Sequence, residues 1–181
     1  MTRPIAHVVL DRDGVLNRPV EGWLASVDEW VWERGALAGL ARLAVARVRV
    51  SIATNQSGIG RGTVTEAEVG AVHRWLAEDL RRREVDLVGI FCCPHAPGDG
   101  CRCRKPRPLL VEEAVLASGV PAAQAVLVGD SVRDIQAAHA VGVGAVLVGP
   151  DADGRGTAVE LAGVGRAADL DEALAGLGLP S

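Results

Sequence analysis

Five short apolar runs constrain this chain more than any other feature: AHVVL before Asp11, VRVSIA before Thr54, LVGIF before the first cysteines, AVLVG before Asp130 and GAVLV before Gly149. They are continuously apolar instead of alternating, which is the pattern of strands covered on both faces in a parallel sheet. Helical patterns lie between them. ALAGLARLAVAR precedes the second run, and TEAEVGAVHRWLAEDLRRR follows it with Thr65 and Glu68 spaced as a capping box. LLVEEAVLAS stops at Gly119, a helix C-cap, and SVRDIQAAHAV follows Asp130. Strand and helix in strict turn predict a doubly wound, Rossmann-like α/β sheet. A length of 181 residues with 49% hydrophobic content suits one domain over 1–181. GPDADGRGT (149–157) reads as a surface loop before a last weak strand and the helix DLDEALAGL, and the tail after about Leu179 as loose.

The net charge of −4 offers no footprint for nucleic acid, and the longest basic run, Arg81-Arg82-Arg83, falls where a helix should end. No stretch approaches the roughly eighteen apolar residues of a membrane span, and MTRPIAHVVLDRDG lacks a signal-peptide pattern. The expectation is therefore a cytoplasmic protein with neither nucleic-acid nor membrane partner. Without a sustained heptad pattern it is expected to be a monomer.

In open α/β sheets, ligands bind beyond the carboxyl ends of the strands. Here the first strand leads into Asp11, the second ends in Thr54-Asn55 and the fourth leads into Asp130, so three distant polar clusters converge on one edge. In VVLDRDGVLN, Asp11 and Asp13 suit a nucleophile and a general acid/base, although D-x-D-G is also an ordinary solvated turn. SIATNQSGIGRG ends a strand with a hydroxyl and a Gly-rich loop able to cradle phosphate oxygens. CRKPRP adds Lys105, a point charge for a transferring phosphoryl group. Asp130 could hold Mg²⁺ with Asp11, while Asp134, one helical turn later, reads more simply as a helix cap.

Nucleophile pair, hydroxyl, lysine and metal acid in this order resemble the four motifs of the haloacid dehalogenase (HAD) superfamily of phosphatases, from about residue 5 to residue 150. The resemblance implies a phosphoaspartyl intermediate on Asp11 and acid/base service from Asp13, whose carbonyl would also ligate Mg²⁺. Thr54 and Lys105 would stabilise the phosphoryl oxygens. No long insertion separates the motifs, so no large cap domain is expected. Residues 17–32 would be a short flap, its Trp23, Trp30 and Trp32 more simply packing groups than a cover for a sugar face. His7, His73, Trp75 and His139 read as structural.

All four cysteines fall within FCCPHAPGDGCRCRKP, a loop of about residues 92–105. Clustered thiols in a reducing compartment point to a metal, and Cys₃His is a common structural zinc set. Cys93 or Cys92 can complete His95, Cys101 and Cys103. Residue 92 more naturally finishes the strand, and the C-P-H pattern of the resembling family also favours Cys93. The ion would fix the backbone that aims Arg104 and Lys105.

Such a loop resembles the HAD subgroup that contains heptose-bisphosphate and histidinol-phosphate phosphatases. LDRDGVLN, TNQSGIGRG, CRKPRP and GDSVRDIQAA are nearer the heptose side, which implies hydrolysis of the C7 phosphate of a heptose 1,7-bisphosphate, with histidinol phosphate as the alternative substrate. The short interval between His95 and Cys101 is similar to the histidinol enzymes. By motif position Asn55, Gln56, Ser57, Arg104 and Lys105 would contact substrate, with Ser131 where some members carry lysine. Arg61, Arg104 and Arg133 are available for a second phosphate, whereas an amino alcohol would need an acid such as Glu21.

Overall fold

The structure, a computed structural model, describes residues 4–149 and 164–181. All of the expected 149–157 loop except Gly149 lies outside the described residues. Strands β1 (His7–Leu10), β2 (Arg49–Asn55), β3 (Leu87–Cys93), β4 (Ala125–Gly129), β5 (Gly144–Val148) and β6 (Gly165–Ala167) form one sheet in the order β3-β2-β1-β4-β5-β6, every pairing parallel. The five apolar runs supply β1 to β5, and β6 is the short last strand at the edge.

Helices α1 (Ala36–Ala46), α2 (Ser57–Gly60), α3 (Glu66–Arg82), α4 (Leu109–Ser118), α5 (Val132–Ala140) and α6 (Leu170–Gly176) cover the sheet. Alternation along β1 explains their division. Val8 and Leu10 pack with Leu40 and Leu43 of α1, Leu76 and Leu80 of α3 and Leu174 of α6, whereas Val9 packs with Leu110 of α4 and Ile135 of α5. Each fully buried leucine here contributes about 1.5–3 kcal/mol of transfer free energy. Thr65 and Glu68 form the expected capping box at the start of α3, and Gly119 takes the left-handed conformation (φ 66°) that closes α4.

The basic run at the end of α3 is paired locally: Arg81 with Glu78, and Arg82 and Arg83 with Asp79. The three tryptophans of the 17–32 segment part company. Trp30 and Trp32 pack against Trp75, with ring centroids 5.2 and 6.2 Å from it, and Asn17 bridges to Trp32. No helix among the described residues is long and apolar enough to cross a membrane.

From β1 the chain builds outward through β2 to β3, then returns to β4 on the other side. The crevice beyond the carboxyl ends of β1 and β4 is the place where such a sheet opens to a ligand.

Candidate active site

Asp11 follows β1, and Asp130 follows β4 directly beside it. Together with Asp134, on the first turn of α5, they bring carboxylate oxygens within 4.8 Å of one another. Lys105 lies in this cluster, 2% exposed, with its Nζ 3.0 Å from Asp11 Oδ1 and 2.5 Å from Asp134 Oδ1, and it donates to the Ala53 carbonyl at 2.6 Å. Burial would lower the lysine's proton affinity, but Asp11 and Asp134 outweigh it and hold the ammonium well above its ordinary value. Burial and the neighbouring Asp134, Asp130 and Asp13 push Asp11 well above the usual carboxylate range against the pull of Lys105. Asp130 is pushed up to about 6, by burial and then by Asp134.

Those shifts test whether the residues fit a cation. Three carboxylates face one ammonium, so full ionisation leaves two negative charges uncompensated. A hard divalent ion with oxygen ligands matches that surplus in charge and donor type. Asp134 does more than the cap expected of it. Its Oδ2 accepts from the Ser131 amide at 3.1 Å, while Oδ1 is the second counter-charge of Lys105. The two roles use separate oxygens of a side chain that is 1% exposed.

Asp13 is turned to a different set of partners. Its Oδ1 accepts from Arg12 Nη2 at 2.9 Å and from Asn17 Nδ2 at 2.9 Å, and its Oδ2 accepts from Gln56 Nε2 at 2.7 Å. Burial would raise this carboxyl, but Arg12, Asn17 and Gln56 together hold it below the usual range. Gly14, next in the chain, has φ 80°, and a Cβ there would sit 2.3 Å from Asp130 Oδ2.

A cavity of about 310 Å³ joins these groups to Gln56, Ser57, Arg104, Ser131 and Arg133, with Pro19, Val20, Gly22, Trp23 and Leu24 of the 17–32 segment along one side. Trp23 reaches into this wall and packs over Gly58, where a Cβ would meet its ring at 2.7 Å. The other candidate residues take different places. Thr54 does not line the cavity: it is fully buried and accepts from Gln56 Nε2 at 2.8 Å, one layer behind the wall. Asn55 lines the cavity and also spends both ends of its amide on the Lys105 peptide, donating to its carbonyl at 3.1 Å and accepting from its N–H at 3.0 Å, so it clamps the lysine loop to β2. Arg61 and Glu21 are not among the lining residues, although Val20 and Gly22 on either side of Glu21 are, and Arg104 and Arg133 are the basic groups at the rim.

Cys93, His95, Cys101 and Cys103 come together beside the cavity, with Cys92 outside the group. Sγ–Sγ distances of 3.8 and 3.2 Å from Cys93 to Cys101 and Cys103 are too long for disulfides, and His95 Nδ1 lies 3.2 Å from Cys103 Sγ. They approach the roughly 3.8 Å edge of a tetrahedron with metal–sulfur bonds of about 2.3 Å. Donor set and spacing fit zinc. The loop is stitched to the β2 end, since Gln56 N–H donates to Cys93 O at 2.8 Å and Gly60 N–H to Pro94 O at 2.7 Å.

Arg12 and His73 had no functional assignment from the sequence. Arg12 is 1% exposed, grips Asp13, and donates through Nη1 to His73 Nε2 at 3.1 Å. A charged residue between two aspartates in a turn signals solvent exposure, and only the packing of α3 over it reveals otherwise.

A buried aspartate–lysine–aspartate cluster at the switch point of this sheet defines a phosphoryl-transfer site of the HAD type. A family model for HAD-hydrolase-like proteins matches residues 102–173. The chain is 41% identical over 135 residues to the D-glycero-β-D-manno-heptose-1,7-bisphosphate 7-phosphatase of Neisseria meningitidis, covering 75% of this chain and 72% of that protein. It is 40% identical over 141 residues to the enzyme of the same name from Pseudomonas aeruginosa, covering 78% and 79%. Among solved structures, the D,D-heptose 1,7-bisphosphate phosphatase of B. bronchiseptica, complexed with magnesium and phosphate, superposes with a TM-score of 0.80 at 36% identity, covering 96% of this chain and 98% of that one. The chain belongs to the heptose-1,7-bisphosphate 7-phosphatase family of the HAD superfamily.

Proposed function

We propose that the chain is a Mg²⁺-dependent phosphoric monoester hydrolase that removes the C7 phosphate of D-glycero-D-manno-heptose 1,7-bisphosphate, leaving heptose 1-phosphate. The observation that carries this reading is the cavity itself. Its acids all belong to the catalytic cluster (Asp11, Asp13, Asp130, Asp134), and its rim carries Arg104 and Arg133 for a phosphate that is not cleaved. Histidinol phosphate would present an amine to this rim, and Glu21, the acid available for it, does not line the cavity.

Lys105, 3.0 Å from Asp11 Oδ1, aims that side chain and favours its ionised form, opposing the burial and neighbouring acids that push it toward the protonated one. An Asp11 oxygen attacks phosphorus, the bond from phosphorus to the C7 oxygen breaks, and that oxygen takes a proton from Asp13. Asp13 rests as an anion, but its side chain is 36% exposed, and the arrival of a phosphate dianion raises its affinity for a proton from solvent. In the second half Asp13 takes a proton from water as that water attacks phosphorus, and the bond to Asp11 breaks to release inorganic phosphate. Asp11, Asp130 and the Asp13 carbonyl would hold Mg²⁺, which supplies the positive charge that lets a phosphate dianion approach carboxylates. Asn55, Gln56, Ser57, Ser131 and Arg104 line the substrate's path, with Thr54 supporting Gln56 from behind. Zinc on Cys93, His95, Cys101 and Cys103 would order the loop that delivers Arg104 and Lys105.

The same reading takes 1–181 as a monomeric single-domain enzyme acting in the cytoplasm, where phosphorylated sugars are retained. Light scattering tests the first part. The substrate is tested by kcat/KM for heptose 1,7-bisphosphate beside histidinol phosphate with Mg²⁺ present. Preference for the bisphosphate is expected, and preference for histidinol phosphate would overturn the assignment.

A further inference from the structure

Arg12 is the most deeply buried arginine among the described residues, yet it lies outside the aspartate–lysine cluster. Its guanidinium is used from both ends. Nε and Nη2 approach Asp13 Oδ1 at 3.3 and 2.9 Å, Nη2 reaches Asp13 Oδ2 at 3.1 Å, and Nη1 meets His73 Nε2 at 3.1 Å. Arginine only donates, so His73 must present a lone pair at Nε2 and carry its proton on Nδ1. Burial, followed by the charge of Arg12, holds the imidazole down at about 4, consistent with a neutral acceptor. His73 is itself fixed, because its neighbours Val72 and Leu76 on α3 are fully buried.

We infer that His73 and Arg12 form a positioning strut that orients the Asp13 carboxyl toward the leaving group, so that α3, which contributes nothing to the cavity lining, takes part in setting the turnover rate. The two in-plane contacts of a guanidinium fix the rotation of a carboxylate, not merely its position. Remove the acceptor on Nη1 and one end of a buried fork is left unpaired, free to turn and take Asp13 with it. Asn17 and Gln56 each hold Asp13 from one direction and would not restore its plane. A group placed about 1 Å from its productive position can cost about a hundredfold in rate. The inference rests on the acid/base reading of Asp13.

The test is a set of steady-state measurements on heptose 1,7-bisphosphate with the Mg²⁺-loaded protein. His73→Leu is expected to lower kcat at least tenfold with KM within twofold of wild type and an unchanged far-UV circular dichroism spectrum. His73→Gln, whose amide oxygen can stand near Nε2, should restore kcat to within threefold. If Leu at position 73 prevents folding, His73→Asn, polar but too short to reach Arg12, replaces it. In an Asp13→Asn background, removing His73 should cost nothing further, because the strut then has nothing to aim. Unchanged kcat in a folded His73→Leu protein, or an equal loss in both backgrounds, would overturn the strut. Native kcat in Asp13→Asn alone would instead overturn the acid/base reading on which it rests.

Discussion

The thiol cluster draws its four donors from residues 93–103, the last residue of β3 and the loop that follows it, whereas the carboxylate cluster draws Asp11, Asp130 and Asp134 from beyond two strands and from the first turn of a helix. Cys93 is anchored in the sheet and the buried core, whereas His95, Cys101 and Cys103 meet it through contacts within the group; burial and Cys103 push Cys93 up to about 12. The carboxylates are pinned by the sheet and by an internal cation, Lys105. The difference teaches that in one region a metal would tie a loop to the end of a strand, while in the other, already set by the sheet, it would supply charge. Lys105 joins them, since it belongs to the second cluster but sits two residues after the last ligand of the first.

The comparison breaks first at Asp11. Asp11→Asn should lower Mg²⁺-dependent phosphate release by about a thousandfold or more, since no other group can take its place as nucleophile. Its thermal midpoint should hold or rise, because one of three like charges is gone. Turnover near the native rate would remove Asp11 from the mechanism. Lys105→Met strikes the pre-ordered half harder in stability. Urea unfolding should show a loss of about 3–5 kcal/mol, as for other buried ion pairs deprived of one partner. Phosphate release should also fall by about a hundredfold. An unaltered midpoint would mean that the carboxylates do not rely on an internal counter-charge.

Cys103→Ser or chelation probes the metal-dependent half. Elemental analysis should pass from one zinc per chain to none, with kcat/KM reduced by about 10–100-fold and the far-UV spectrum retained. Full activity in zinc-free protein would separate the two clusters. A finer cut compares two arginines: Arg133→Ala should raise KM for the bisphosphate by about tenfold, while Arg61→Ala, away from the cavity lining, should leave it within about twofold. Equal effects would move the second-phosphate site.

The smallest effect concerns pH. His7 is fully buried and its Nε2 lies 2.9 Å from Ser51 Oγ; burial, then Arg49, lowers it to about 4 from 6.5. The unfolded chain therefore binds more protons between these values, so stability should be full above pH 6.5 and decline as pH falls toward 4. Urea midpoints across that window check the sign. His7→Gln should reduce the slope, leaving the share of His73, which is lowered to about 4 in the same way, and an unchanged slope would assign it to other groups.

Much of this architecture is legible in the sequence because strands with two buried faces must be continuously apolar, and Thr65, Glu68 and Gly119 mark helix ends by local chemistry. The cysteine loop is legible for a similar reason, all of its donors lying close in sequence. What escaped was decided at long range. Arg12 between two aspartates looks like a solvated turn until α3 closes over it, and His73 looks like a packing residue until Arg12 is found at its tip. Asp134 satisfies a cap with one oxygen and Lys105 with the other, and sequence spacing reveals only the first. Trp23 is set apart from Trp30 and Trp32 only by the missing side chain of Gly58 beneath it.

Gly14, Gly58 and Gly60 share that property. A methyl group on any of them would strike Asp130, the Trp23 ring or the backbone of the cysteine loop at 2.3, 2.7 and 2.5 Å. None can contribute a side chain to the reaction, yet each sets a limit on remodelling it. An engineer seeking a new substrate has freedom at the flap and at the rim arginines. At these three positions any added carbon must push aside Asp130, the Trp23 ring or the backbone of the cysteine loop.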